Sequence, residues 1–125
     1  INKTEWSIKK IIERSLILEK KLGRKPIVGC LGLTFKPNVD DTRESPALTI
    51  TNRLIQENIK VIVCEPNLTT FGSFNLLPLE KVLEEADLII FLVAHDSFKN
   101  LNPNLISQEV IDFCGLQQKL NEKGI

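Results

Sequence analysis

Charged side chains are concentrated in one polar segment, which joins an apolar run to the start of a helix. Its cations are Lys36 and Arg43, and its carboxylates belong to Asp40, Asp41 and Glu44. Lysine can contact phosphate as a point charge and arginine through a bidentate fork, so the segment could hold a phosphorylated ligand. The alternative is a solvated loop on which the cations only pair with the neighbouring carboxylates, because surface ion pairs are common and weakly stabilising.

Two other side chains near this segment could take part in ligand chemistry. Phe35 precedes Lys36, and its ring could either line a base or sugar pocket or fill the core. His95 is the only histidine and could carry a proton near neutral pH. A lone histidine at the end of a strand is more often a helix cap or a hydrogen-bond partner, so both interpretations of His95 stay open.

The cysteines and the composition exclude several classes of function. Cys30 and Cys64 lie in apolar runs, so reduced thiols in a cytoplasmic protein fit better than a disulfide framework. No Cys or His cluster indicates a metal site. The formal net charge is zero and no apolar run approaches the roughly 20 residues that span a bilayer, so we expect neither nucleic acid nor membrane as a partner.

The elements that must position these residues alternate between helix and strand. Apolar residues at three- and four-residue steps predict helices, and short unbroken apolar runs predict strands that are covered on both faces. Ser45 and Pro46 form a typical helix start. The predicted helices cover 4–22, 46–58, 78–86 and 116–123, with a helical turn in 95–101, and the predicted strands cover 26–32, 60–64, 88–93 and 110–113.

This alternation predicts an α/β fold, a three-layer parallel sheet with helices on both faces, preceded by an N-terminal helix. The segments that follow the strands should meet at the carboxyl edge of the sheet, where such folds bind ligands. Gly29 and Gly32 do not make a dinucleotide fingerprint, because that motif needs three glycines and an immediate helix. They are better explained by close backbone approach at the strand end.

The run GLTFKPNVDDTRESPA at 32–47 resembles the loop of the nucleotide-sugar 6-dehydrogenases, a family that includes UDP-glucose, GDP-mannose and UDP-N-acetylmannosamine dehydrogenases. The resemblance covers about residues 24–115. The runs CEPN at 64–67 and LVAHDSFK at 92–99 favour the UDP-N-acetyl-D-mannosamine branch over a UDP-glucose 6-dehydrogenase, which stays the alternative. A non-catalytic nucleotide-binding or interaction module is the third possibility.

The resemblance implies a Rossmann-like UDP-sugar-binding C-terminal domain at 24–125, and a linking helix at 1–23 from a missing upstream region. Ile1 and the absence of methionine also suggest a piece of a longer protein or a processed chain. By resemblance, upstream domains would bind NAD, supply the catalytic cysteine and form a dimer, so we expect the chain alone to be inactive as a dehydrogenase.

The resemblance also implies roles for individual residues. Phe35 and Lys36 would bind the UDP-sugar, Arg43 would reach the NAD of the upstream domain, and Asp40 and Asp41 would orient the cations. In one place the sequence departs from the family pattern, since Cys114 stands where an arginine or lysine that contacts substrate is expected.

Overall fold

The structure is a computed structural model that describes residues 3–115, and it confirms the α/β fold. The predicted helix at 116–123 lies outside the described residues. No helix within 3–115 is both long and apolar enough to cross a membrane. The helices are α1 (Lys3–Leu22), α2 (Pro46–Gln56), α3 (Leu79–Glu85) and α4 (Asp96–Lys99), with a 3-10 turn at Pro103–Leu105, and the strands are β1 (Ile27–Leu31), β2 (Lys60–Cys64), β3 (Leu88–Phe91) and β4 (Glu109–Asp112).

The strands form one parallel sheet in the order β2-β1-β3-β4. Strand β1 lies in the interior of the sheet, with Gly29 opposite Ile62 of β2 on one side and Ile89 of β3 on the other. Because all four strands run in the same direction, the segments that follow them emerge at one edge. The order also puts the ends of β2 and β3 on either side of the end of β1.

Apolar side chains cover both faces of the sheet, which confirms the predicted three layers. On one face, Ile8 and Ile11 of α1 and Leu54 of α2 pack against Val28 and Ile90 of the sheet. On the other face, Val82 and Ala86 of the α3 segment pack against Ile62 and Ile89. Helix α1 therefore shares its core with the sheet, whereas its role as a link to an upstream region stays a prediction.

Three of the four strands differ from their predicted bounds: β1 is one residue shorter at each end, β3 ends two residues early, and β4 begins and ends one residue early. Strand β3 ends at Phe91 rather than Val93, because the N–H groups of Leu92 and Val93 both turn to the carbonyl of Leu31 at the end of β1. Strand β4 begins one residue early, at Glu109, whose carboxylate forms a bidentate ion pair with Arg14 of α1 at 2.6 and 2.7 Å. A charged residue at a strand start gives no apolar signal.

Candidate functional site

The segments that follow β1, β2 and β3 meet at the carboxyl edge of the sheet, as predicted. Glu65 comes directly after β2, and His95 follows β3 just before α4. Their side chains approach each other across the end of β1, where His95 Nε2 lies 2.9 Å from Glu65 Oε1. Both residues are buried, with exposed fractions of 0% for His95 and 3% for Glu65.

The Glu65 carboxylate accepts hydrogen bonds from three chain segments. Its Oε1 atom accepts from the Leu33 N–H at 2.8 Å, and its Oε2 atom accepts from the Asn67 N–H at 2.9 Å. Burial works to raise the pKa of Glu65, but the hydrogen bonds from His95, Leu33 and Asn67 outweigh it, so the net pKa is lowered. The group is therefore a buried carboxylate at neutral pH.

The hydrogen bonds around His95 assign the ring proton to Nε2. The backbone N–H of Asn38 donates to Nδ1 at 2.9 Å, and the Asn67 amide nitrogen lies 3.2 Å from the same atom. Because Nδ1 accepts, Nε2–H is left to donate to Glu65. Of the two interpretations of His95 from the sequence, the structure supports the hydrogen-bond partner. We call Glu65, His95 and the groups bonded to them, from Thr34, Asn38 and Asn67, the Glu65–His95 network.

The 33–44 loop, which follows β1, is attached to this network and to α2. The Thr34 hydroxyl lies 3.3 Å from His95 Nε2 and donates to the Lys36 carbonyl at 3.0 Å. At the far end of the loop, Ser45 caps α2 by accepting from the Leu48 N–H. The Ser45 hydroxyl also donates to the carbonyl of Leu33 at 2.7 Å, so one serine joins both ends of the loop.

Phe35 and Lys36, the two predicted substrate-binding residues, lie on the outside of the 33–44 loop. The Phe35 side chain is 55% exposed, which excludes the interpretation that it fills the core. Its N–H donates to the Asp41 carbonyl at 2.8 Å and closes the loop. Lys36 is exposed, and its ammonium makes no ion pair within residues 3–115.

Arg43 and Asp41, the predicted cofactor contact and its predicted orienting group, form a pair. Arg43 Nη2 and Nε lie 3.0 and 3.1 Å from the two carboxylate oxygens, and the Arg43 N–H also donates to Asp41. These hydrogen bonds lower the pKa of Asp41 to about 2. The Arg43 side chain is still 88% exposed. Asp40 is exposed as well, and its orienting role stays a prediction.

A cleft of about 300 Å³ lies between the 33–44 loop and the start of α1. Phe35 lines it, whereas Lys36 and Arg43 do not. Among residues 3–115 its wall contains one cation, Lys3, which the sequence analysis did not select. Its residues come from α1, the loop, α2 and the ends of β3 and β4: Lys3, Thr4, Ser7, Thr34, Phe35, Pro46, Ala47, Ile50, Leu92 and Phe113.

Gly29 inside β1 and Gly32 just after it both have packing roles, as expected. A Cβ atom on Gly29 would lie 2.6 Å from Cγ1 of Val82 on α3. Gly32 has a φ of +107°, and a Cβ there would lie 2.7 Å from Val93. The 33–44 loop then separates Gly32 from α2, so these residues do not form the cradle of a dinucleotide fingerprint. No group of three or more metal-ligating side chains is found among residues 3–115.

Residues 29–116 match the UDP-glucose/GDP-mannose dehydrogenase family, in its UDP binding domain. The chain belongs to this family. A UDP-N-acetyl-D-mannosamine dehydrogenase of Campylobacter jejuni is 36% identical over 121 residues, which cover 90% of this chain and 28% of that protein. An NDP-N-acetyl-D-galactosaminuronic acid dehydrogenase of Ralstonia solanacearum is 37% identical over 99 residues, which cover 74% of this chain and 23% of that protein.

Solved structures show the same architecture. The UDP-N-acetyl-mannosamine dehydrogenase of S. aureus superposes with a TM-score of 0.70 at 28% identity, over 87% of this chain and 27% of that one. The chain thus spans about a quarter of the length of these relatives.

Proposed function

We propose that this chain is the nucleotide-sugar-binding domain of an NAD-dependent dehydrogenase that oxidises the C6 alcohol of a UDP-sugar to a carboxylate. The observation that carries the proposal is the 33–44 loop, which presents Phe35 and Lys36 at the carboxyl edge of the sheet, with no ion pair to the Lys36 ammonium from residues 3–115. An exposed cation beside an exposed ring suits a diphosphate and the base or sugar attached to it.

For the sugar, we propose UDP-N-acetyl-D-mannosamine. The two runs that favoured this branch contain Glu65 and His95, which contact each other at 2.9 Å. Proteins named UDP-N-acetyl-D-mannosamine dehydrogenase recur among the relatives. UDP-glucose is the alternative, and a panel of UDP-sugars offered to the full-length enzyme separates the two.

For NAD, we propose that an upstream domain holds the cofactor and that Arg43 reaches one of its phosphates. The residues described here do not offer a dinucleotide cradle, but the Arg43 guanidinium is exposed and oriented by Asp41. Bound NAD would accept the hydrides of the oxidation. Further proposals are a catalytic cysteine and a dimer contact upstream of this domain, and a cytoplasmic location.

Titration of the chain with UDP tests the proposal, with Lys36→Ala as the variant. Loss of a charge-assisted contact should weaken UDP binding by about 2 kcal/mol, or roughly thirtyfold in Kd. Lys60→Ala is the matched control. Lys60 is an exposed lysine at the first residue of β2, so it lies at the amino edge of the sheet, away from the 33–44 loop. Equal UDP affinity in the Lys36→Ala variant and the wild type would remove Lys36 from the site.

A second candidate is a binding module without dehydrogenase chemistry, which Cys114 favours. This residue replaces the expected substrate-contacting cation, and its N–H donates to Asp112 at 3.0 Å beside the cleft residue Phe113. The full-length protein with UDP-N-acetyl-D-mannosamine and NAD decides between the two. NADH formation supports the enzyme, and UDP binding without turnover supports the module.

A further inference from the structure

We propose that His95 is a positioning residue, whose Nδ1 atom holds the Asn38 N–H and so fixes the part of the 33–44 loop that presents Phe35 and Lys36. As a statement about ligand binding the inference rests on the proposed function. As a statement about loop conformation it stands on the network alone.

The imidazole is well suited to serve as a fixed reference point. It has no exposed surface, and its ring packs against Phe98 with the centroids 5.4 Å apart. Its Nε2 atom is held by Glu65, which is held in turn by the N–H groups of Leu33 and Asn67. Because these contacts attach the ring to the ends of β1, β2 and β3 at once, the ring cannot shift without disturbing the sheet edge.

From this fixed ring, contacts extend to both sides of Phe35 and Lys36. On one side, the Thr34 hydroxyl lies near His95 Nε2 and donates to the Lys36 carbonyl. On the other side, Asn38 donates its N–H to Nδ1, and its Oδ1 atom accepts from the Asp96 N–H at 3.0 Å. The segment 35–37 is thus held at both ends.

The backbone at Asn38 is in a conformation that such a contact helps to hold. Its φ is +63°, in the left-handed region, which asparagine adopts more readily than most residues other than glycine. The hydrogen bond to Nδ1 and the bond from Asp96 N–H stabilise this conformation, which turns the chain back toward Asp41. Without the acceptor on His95, the Asn38 N–H would lose its hydrogen bond to the buried ring.

A neutral imidazole meets both requirements, since one ring nitrogen donates to Glu65 and the other accepts from Asn38. An amide side chain can meet only one of them. In His95→Asn, the amide oxygen can stand near the place of Nδ1, which keeps the acceptor for Asn38 but loses the donor to Glu65. In His95→Gln, the amide nitrogen can stand near the place of Nε2, which keeps the donor but loses the acceptor.

This pair of variants tests the proposal, because each one buries an amide and each one loses the contacts of one ring nitrogen. We expect the larger loss of stability in His95→Asn, because this variant removes a donor from the buried carboxylate of Glu65. UDP affinity should fall about tenfold in His95→Gln, as for one lost hydrogen bond, and no more than about threefold in His95→Asn. Amide hydrogen exchange at Asn38 should be accelerated in His95→Gln and stay near the wild-type rate in His95→Asn.

Equal losses of UDP affinity in the two variants, after correction for the folded fraction, would overturn the positioning role. If the wild-type chain does not bind UDP, the proposed function fails, while the exchange rates at Asn38 still test the loop. If neither variant folds, nitrogen chemical shifts of the wild-type imidazole decide the matter. They should show the proton on Nε2, and a proton on Nδ1 would refute the proposal.

Discussion

The three cysteines differ in reactivity because they differ in burial. Burial raises the pKa of Cys30 to about 12. Burial also raises the pKa of Cys64 to about 12, and the negative charge of the adjacent Glu65 adds to the effect. Since the thiolate is the nucleophile, neither thiol can react appreciably near neutral pH. Cys114, by contrast, is only partly buried.

Thiol labelling near neutral pH should therefore modify one cysteine in the folded chain. We expect one equivalent of a thiol reagent to react before unfolding and three equivalents in denaturant. Cys114→Ser is the control, and it should abolish the reaction of the folded chain. Two or more equivalents in the folded wild type would show that a buried thiol is accessible.

Residue types and spacing predicted which segments form the candidate site, but not which side chains meet there. The polar segment after β1 and the convergence of the strand ends followed from parallel topology. The contact between Glu65 and His95 did not, because it depends on β2 and β3 lying on either side of β1, and periodicity does not report strand order. The exposure of Phe35 was equally undetermined, since an aromatic residue suits a core or a surface pocket.

At the scale of elements, the contact between α3 and β1 depends on the missing side chain of Gly29. This glycine lies inside the strand, where the extended conformation is available to any residue. What requires glycine is distance, because a Cβ would lie 2.6 Å from Val82 and 3.0 Å from Ala86. The helix could not pack as closely on the sheet if position 29 carried a side chain.

Gly29→Ala should accordingly destabilise the chain by about 1–3 kcal/mol, the usual range for an overpacked core. Val82→Ala alone should also destabilise it, because it removes buried methyl groups. In the double variant the clash with Val82 Cγ1 is gone. Its loss of stability should therefore be smaller than the sum of the losses in the two single variants. Denaturant unfolding of the four proteins measures this coupling. Strict additivity would show that the close contact is relieved by movement of α3 instead.

Element types were more predictable than element ends, and the reason is physical. Apolar periodicity marks where a helix or strand is buried, as in α1 and β2, and it places these elements within a residue or two. An end is decided by hydrogen bonds instead. Strand β3 stops where Leu92 and Val93 turn to Leu31, and β4 starts at a charged residue that pairs with Arg14.

At the scale of the whole molecule, ion pairs between distant segments join the elements. Arg24, after α1, binds Asp87 through two hydrogen bonds of 2.8 and 2.9 Å, and Asp87 also accepts from the Ile27 N–H. Arg14 of α1 holds Glu109 of β4 in the same way. The hydrogen bond from the arginine is the largest influence on each carboxylate and lowers its pKa.

These lowered pKa values predict that the chain loses stability in acid. A carboxylate whose pKa is lower in the folded chain stabilises it above the unfolded pKa of about 4, and this contribution is lost as pH falls through the folded value. We expect the contribution of these two pairs to the free energy of unfolding to be nearly constant from pH 7 to about pH 5 and to fall below that. Asp87→Asn keeps an acceptor for Ile27 but removes the charge, so it should be less stable than wild type at pH 7 and approach it near pH 3. Arg24→Gln should show the same pH dependence as Asp87→Asn, because it removes the main cause of the lowered pKa of Asp87. A difference from wild type that is the same at both pH values would mean that the pair contributes through packing and not through its charge.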